Sequence, residues 1–368
     1  MIAKLNMELN YSHLRNGVSG IMRVKNDAEF IEASIDSCID ALDELIIVYN
    51  DCSDDSPDLI AKKKKQYPDK IKVYEYIHKI YSVNLTKEEY EYAKSLPSDS
   101  PNLLCNYYNF ALSKVTCQYA MKIDADQIYF TDKLKEWCDV YRKGYKASVI
   151  SKTIGKCTWA YSRVINKINC KRKKVCHFLP QNIVRYFYPY YLSYVKSLVS
   201  DKKVNVSLSG LDIIYDKGWL VTLGKKNGTM NILPPYNGVG DHLIFKVTDD
   251  VYYRPDDCKF YNNLRSDNYS LIERFVCTGN SYIIGAFWFH LNGMRINVRD
   301  KVKKAVNENP NSVMSLEEFS KSNYDKTIEP KIDREMMLTY QRSMFQFIHQ
   351  GEAHLLLSAK KYLKLINL

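Results

Sequence analysis

An α/β fold built on a mixed, mainly parallel sheet with flanking helices is what this 368-residue sequence predicts. Three observations predict it. Apolar runs of strand length alternate with segments of helical periodicity from about Val18 to Ile77. One run, Glu44-Leu-Ile-Ile-Val-Tyr49, is continuous rather than alternating, as in a parallel strand covered on both faces. Another, Tyr119-Ala-Met-Lys-Ile123, runs directly into two carboxylates, Asp124 and Asp126, separated by one alanine.

Taken in order, residues 1–17 carry no strong signal, and Val18–Val24 reads as a strand ending at Lys25-Asn26-Asp27. A helix fits Ala28–Leu42, because Ile31, Ile35, Cys38, Ile39 and Leu42 fall on one face. The strand Glu44–Tyr49 empties into the polar turn Asn50-Asp-Cys-Ser-Asp-Asp-Ser-Pro57. A helix carrying Lys62–Lys65 as a solvated face follows, then a strand over Ile71–Ile77. Residues 78–101 read as a polar, Tyr-rich loop, and Asn102–Lys114 as a helix leading into the carboxylate strand. Lys133–Lys143 predicts a helix and Ala147–Thr153 a strand. From Gly210 to His290 the character is mixed; after about Asn307 the chain turns helical. There Ser315-Leu-Glu-Glu318 has the form of a capping box, and Met336–Ile348 and Glu352–Leu365 have helical spacing.

Composition narrows the function classes. Hydrophobic residues at 46% with 26% charged describe a globular chain, not a disordered one. The ten cysteines form no Cys-x-x-Cys pair and no signal peptide precedes them, so they read as reduced thiols in a cytoplasmic protein. No run of eighteen apolar residues suggests a membrane span. Net charge is +11, and Val140–Ser200 alone holds thirteen Lys and Arg with no Asp or Glu. Lys171-Arg-Lys-Lys174 stands there beside Phe178, Tyr186, Phe187, Tyr188, Tyr190, Tyr191 and Tyr194. Cations beside amphipathic rings suit an anionic membrane surface; the same residues also suit an ordinary helix with its aromatics packed inward. Nucleic acid is not expected as a partner, because no RNA-binding signature accompanies them.

The carboxylate pair is the main chemical signal. In extended backbone residues i and i+2 point to one side, so Asp124 and Asp126 repel unless a cation sits between them. Mn²⁺ or Mg²⁺ carrying a phosphate ester would satisfy both. An Asp-x-Asp after a strand also reads as a solvated turn. No Gly-x-Gly-x-x-Gly follows the first strand and no P-loop occurs, so a nucleotide here would be held by side chains and a metal. Asn26, Asp51 and Asp124 all fall at carboxyl ends of predicted strands, where ligands of parallel sheets bind.

With these motifs in hand, residues 18–295 resemble a bacterial, family-2-like glycosyltransferase of the GT-A fold. The resemblance rests on Val24-Lys-Asn-Asp27, on Ile46-Ile-Val-Tyr-Asn-Asp-Cys-Ser53, on Asn109 fifteen residues before Asp124, and on Asp124-Ala-Asp126. Further along stand Asp267-Asn268, Arg274, Gly279 and His290 in the family's order. The resemblance implies that Arg23, Asn26, Asp51, Asn109 and Asp124 hold the nucleotide, Asp51 at the uracil. It implies that Asp124, Asp126 and His290 hold Mn²⁺ or Mg²⁺. The family's base position holds Asn268, which passes the role to Asp267, then to Asp241, then to Asp256 or Asp257; His242 and His177 are weaker ligand candidates.

The implied organisation is a GT-A domain over 1–305 and a carboxyl-terminal helical extension over 306–368. Within the domain, 18–130 would bind the nucleotide sugar and 131–305 the acceptor, with a basic and aromatic insertion over 140–205. The implied activity is transfer of a hexose or N-acetylhexosamine, with inversion, from a UDP-sugar to a hydroxyl of a glycan or lipid-linked oligosaccharide. The acceptor would be of the lipopolysaccharide, O-antigen or capsule kind, met at the inner face of the cell membrane. A nucleotidyltransferase of similar fold, or a non-catalytic basic protein binding membrane or nucleic acid, are the competing classes.

Overall fold

The computed structural model describes residues 13–171, 176–201, 204–224, 234–256, 269–332 and 339–366. Among the described residues, thirteen strands and the helices between them follow in chain order: β1 (Arg15–Val24), α1 (Ile31–Cys38), β2 (Glu44–Tyr49), α2 (Ser56–Gln66), β3 (Ile71–Glu75), α3 (Lys87–Ser95), α4 (Leu104–Leu112) and β4 (Cys117–Asp124). Next come β5 (Gln127–Tyr129), α5 (Thr131–Lys143), α6 (Val149–Lys171), α7 (Gln181–Ser200), β6 (Val204–Tyr215), β7 (Trp219–Thr222) and β8 (Tyr236–Asn237). β9 (Leu243–Lys246), β10 (Tyr252–Asp256), β11 (Ile272–Val276), β12 (Asn280–His290) and β13 (Val313–Ser315) complete the strands. The described carboxyl-terminal helices include Ile296–Glu308, Leu316–Lys321 and Thr339–Glu352.

The chain folds as two compact units. The first comprises Met1–Ile35, Leu42–Ala125 and Ile244–Asn280; the second comprises Asp36–Ala41, Asp126–Leu243 and Ser281–Leu368. The sheet of the first runs β3-β2-β1-β4-β9, with the first three pairings parallel and β9 antiparallel. Val24 pairs with Tyr49 and Arg23 with Asp124, so the carboxyl ends of β1, β2 and β4 finish level. Ile46, Ile47 and Val48 are fully buried, as a parallel strand covered on both faces requires. The alternating α/β pattern, the parallel core and the carboxyl-terminal helices therefore stand as the sequence predicted.

A buried carboxylate locks the amino-terminal edge of this sheet. Glu44 is inaccessible, yet it accepts from Ser19 Oγ (2.6 Å), Thr116 N (2.6 Å), Thr116 Oγ1 (2.7 Å) and Lys72 Nζ (2.6 Å). Burial alone would raise its pKa, and the Lys72 and hydroxyl donors more than offset that, leaving it below the ordinary value. The network ties β1, β2 and β3 to the residue just before β4.

In the second unit β5 and β6 both pair with β12, β6 carries β7 and β8, and β13 closes on β7. The helices α6 and α7 pack closely because Gly155 has no side chain; a Cβ there would lie 2.2 Å from the Tyr190 carbonyl oxygen. Of the aromatics in α7, Tyr188 and Tyr191 are buried while Tyr186 is 65% exposed, so the cluster faces both ways. Among the described residues no helix is long and apolar enough to cross a membrane.

Three local expectations are corrected. Ala147–Thr153 does not form a strand: Val149 begins α6, and the Ser148 hydroxyl accepts from Ser151 N at 3.1 Å. A cap on the backbone outweighs the β-branched character of so short a run. The polar stretch 78–101 is not all loop, since α3 starts from a complete capping box between Thr86 and Glu89. The expected helix Glu352–Leu365 is instead a series of short turns, Ala353–Leu355, Leu356–Ala359 and Lys360–Leu365, which still buries Leu356, Ala359 and Leu363. Ser315 does cap its helix, accepting from Glu318 N at 3.1 Å.

Glu44→Gln is expected to cost about 2 kcal/mol at neutral pH, because charge-assisted bonds are replaced by weaker ones. The folded pKa is depressed, so the stabilisation is present above the ordinary carboxylate range and is lost as pH falls through it. Urea melts of both proteins should therefore converge on acidification; a gap that stayed constant with pH would contradict the assignment.

Candidate functional site

In the first unit the level strand ends present four polar residues. Arg23 is half-buried, its guanidinium 5.3 Å from the centre of the Tyr108 ring and 5.8 Å from that of Tyr107, and its Nε has no hydrogen-bond partner among the described residues. Asn26 and Asp51 follow β1 and β2 in the left-handed region, with φ of 56° and 46°. Short polar side chains tolerate that conformation because they can bond locally. Asn26 Oδ1 accepts from Ser53 N at 2.7 Å, which ties one turn to the other. Asp51 is exposed beside Lys25 Nζ at 3.1 Å. Asp124 ends β4, and its carbonyl accepts from Ser34 Oγ at 3.0 Å.

Two other asparagines of this unit brace backbone. Asn109 Nδ2 donates to the Tyr253 carbonyl and its Oδ1 accepts from Tyr253 N, both at 2.8 Å, binding α4 to β10. Asn50 donates to the carbonyls of Tyr76 and His78. Asp256 is held in the β10–β11 ribbon by Arg274, whose Nη2 lies 2.9 Å away. Gly279 has φ of 94°. Asp257, Asp267 and Asn268 lie outside the described residues.

The second unit, which includes Asp126, holds a denser cluster. His290 pairs with Gln127 across β12 and β5, and Leu291 N donates to the Asp126 carbonyl at 2.9 Å. This brings the Asp126 side chain to His290, with Oδ2 3.4 Å from Nε2. On the other side of the ring, Asp212 of β6 places Oδ1 2.5 Å from Nδ1. Arg295 grips Asp126 Oδ2 through Nε at 3.1 Å and Nη2 at 3.0 Å. Asn237 of β8 stands 3.0 Å from His290 Nδ1 and is fixed by Trp288 Nε1, which donates to its Oδ1 at 3.0 Å. Asp212 Oδ2 has no partner among the described residues.

Asp126 and Asp212 are only 5% and 4% exposed. Burial would lift both pKa values. At Asp126 the His290 and Arg295 cations override it and hold the carboxyl well below the usual range. At Asp212 burial wins, and the carboxyl sits above its ordinary value although it faces the imidazole. Burial would lower His290, yet Asp126 and Asp212 on either side hold it well above the ordinary histidine value. His349 shows what burial does alone: bonded to Tyr236 and the Ser322 carbonyl, it is pushed down to about 4. Burial alone thus moves His349 down, while the two carboxylates flanking His290 move it the other way.

The remaining candidates lie apart from this cluster's bonds. Asp241 is half exposed in the turn after Gly240, 3.3 Å from His242 Nδ1. The His242 ring is buried against Trp288 at 4.6 Å, with Nε2 3.3 Å from Gln127. His177 faces Asp325 and Glu329 at 3.5 and 3.6 Å. The sequence reading missed Asp212, Asn237 and Arg295. Asp212 had a signal, a lone carboxylate inside the apolar run Leu211-Asp-Ile-Ile214. Arg295 and Asn237 had none, since each gains meaning only through a strand pairing.

The cluster depends on close backbone approach. A Cβ at Gly210 would fall 1.8 Å from Trp288 Nε1, and one at Gly238 2.5 Å from the same ring. Gly210→Ala should therefore destabilise the protein by about 3 kcal/mol. Equilibrium denaturation checks this, with a loss under about 0.5 kcal/mol counting against the close packing.

Residues 15–173 match the family model described as beta-1,4-N-acetylgalactosaminyltransferase (CgtA). No curated protein matches the chain. Solved structures with similar parts include glucosyl-3-phosphoglycerate synthase from Mycobacterium tuberculosis in complex with Mn²⁺, UDP-glucose and phosphoglyceric acid. It is 17% identical over 35% of this chain and 40% of its own, with a TM-score of 0.24. The chain thus spans about two fifths of that synthase. S. aureus TarS 1-349 is 11% identical over 94% of this chain and 87% of its own, with a TM-score of 0.31. The CgtA match covers the stretch from the start of β1 through the Asp124-Ala-Asp126 motif and into α6. The CgtA likeness is confined to residues 15–173, less than half of the chain.

Proposed function

We propose that the protein transfers a hexose or N-acetylhexosamine from a UDP-sugar to a hydroxyl of a glycan or lipid-linked oligosaccharide, with inversion and with a divalent metal. The observation that carries this reading is the buried Asp126–His290–Asp212 chain at the end of the Asp-x-Asp motif.

The residues fit Mn²⁺ or Mg²⁺ in kind and in support. Asp126 offers a carboxylate oxygen and His290 a ring nitrogen 3.4 Å from it, a hard and a borderline donor close enough to share one ion. Asp212 on the far ring nitrogen is the carboxylate that holds a ligating histidine in orientation and in one tautomer. Asp124 is the remaining metal candidate, as the first carboxylate of the motif. A bound ion would neutralise charge on the departing diphosphate.

The chain's own residues would do the rest. Arg295 already faces the carboxylate from which it could turn to a phosphate, and its planar fork suits that partner. Asp51 and Asn26 would meet the uracil and ribose from their left-handed turns; Arg23 and Asn109 would set the walls behind them. A carboxylate accepts the acceptor's hydroxyl proton while the oxygen bonds to the anomeric carbon and the bond to the diphosphate breaks. We assign that base to Asp267 first and Asp241 second. The nucleotide would occupy 18–130 and the acceptor 131–305, with 306–368 as a helical extension. The acid-free stretch 140–200 would face the anionic inner surface of the cell membrane, where an acceptor of the lipopolysaccharide, O-antigen or capsule kind would be met.

Thermal shift with UDP, with and without Mn²⁺, tests the reading: a ligand bound to the folded state raises its melting point by mass action. Asp126→Ala and His290→Ala should remove the Mn²⁺-dependent part of that rise and lower transfer by about 100-fold or more. Asp212→Asn should weaken Mn²⁺ binding by about 10- to 100-fold, read by electron paramagnetic resonance titration. An unaltered manganese affinity in both Asp126→Ala and His290→Ala would sink the metal assignment.

A further inference from the structure

The helix α6 divides its surface into three stripes. Gly155, Ser162, Ile165 and Asn169 are buried. Ile150, Cys157 and Val164, spaced by seven, form an exposed apolar stripe in which Ile150 is 72% and Val164 55% exposed. Lys152, Lys156, Arg163 and Lys167, spaced by four, seven and four, form an exposed cationic stripe beside it. A helix that keeps a water-facing apolar row next to a row of lysines has the pattern of an interfacial helix.

Against the apolar stripe opens a cavity of about 330 Å³. Its walls include Ile154, Cys157 and Tyr161 of α6, Ile183 and Phe187 of α7, and Phe347 of the helix Thr339–Glu352. No charged side chain lines it. Its volume lies in the range of small-molecule sites, yet it offers almost nothing with which to orient a polar ligand. Leu179 in its wall is 46% exposed and the neighbouring Tyr186 of α7 is 65% exposed, which extends the apolar rim into solvent.

We propose that this cavity takes a hydrocarbon chain of an anionic membrane lipid, while the cationic stripe of α6 meets the headgroups. Charge complementarity fixes the occupant. The surrounding segment, Val140–Ser200, has no acidic residue, so the mouth lies in a field that draws anions, and the hollow itself is mainly apolar, its Thr153 and Thr158 hydroxyls already donating to α6 carbonyls. A nucleic acid would match the cations but has little use for so apolar a hollow. The proposal rests on the membrane-facing part of the function proposed above and on nothing at the donor site.

The test uses the full chain and two probes. Cosedimentation with vesicles of phosphatidylglycerol and phosphatidylcholine, against phosphatidylcholine alone, reads the surface; fluorescence of cis-parinaric acid reads the cavity. The wild type is expected to bind the anionic vesicles and the fatty acid. Cys157→Trp, which fills the cavity mouth, should abolish parinarate fluorescence and weaken vesicle binding with every cation still present. Lys152→Glu, Lys156→Glu and Arg163→Glu combined should lower vesicle affinity by about fivefold per cation removed and leave parinarate bound. If Cys157→Trp melts early, Leu179→Asp at the exposed rim repeats the measurement. Absence of parinarate binding in the wild type, its full retention in the cavity variants, or tighter binding of single-stranded DNA than of anionic vesicles would each overturn the proposal. The manganese-dependent shift by UDP reports the donor site separately, so failure here leaves the transferase reading standing, and the converse.

Discussion

One histidine ring between two buried carboxylates is the interaction on which the second unit depends. Asp126 and Asp212 are almost out of contact with water, where an unpaired charge costs several kcal/mol. His290 lies between them and Arg295 meets the same Oδ2 of Asp126, so the charges are shared among four groups. The arrangement needs three strands in register: β12 carries the ring, β6 delivers Asp212, and Asp126 stands immediately before β5. Gly210 gives up its side chain so that Trp288 can reach Asn237 and close the other side.

The sheet of the first unit solves a different problem. A parallel sheet ends in loops whose backbone groups have no ladder to join, and these loops must still be rigid to bind a ligand. Here the stiffening comes from side-chain amides. Asn26 ties one turn to the next, Asn50 catches two carbonyls beyond β3, and Asn109 makes a two-bond clasp on Tyr253. Glu44 performs the equivalent task at the opposite edge. These asparagines thus act on the protein's own backbone, while Asp51 stands exposed beside Lys25.

The basic, aromatic stretch shows how one composition serves two ends. Tyr188 and Tyr191 are core residues of the helical bundle, whereas Tyr186, Val149 and Ile150 remain in water. Inward packing therefore holds for Tyr188 and Tyr191, while Tyr186, Val149 and Ile150 stand exposed on neighbouring helical faces. Only the helical phase separates them, and that phase was misjudged where Ala147–Thr153 was assigned to a strand.

What the sequence determined by itself was everything with a local cause: the parallel core, through the continuous apolar run of β2; the turn residues at strand ends, through Asn26 and Asp51; and the position of the Asp-x-Asp motif. Hydrophobic periodicity and turn chemistry act over a few residues, so they can be read from a few residues. The tertiary structure alone decided that the pKa of His290 is raised while that of His349 is lowered, and that Asp212, Asn237 and Arg295 share one cluster. Both histidines sit in apolar, aromatic stretches, and nothing local distinguishes them. A pKa is set by which charges stand within a few ångströms after folding, and strand pairing between residues far apart in the chain determines that.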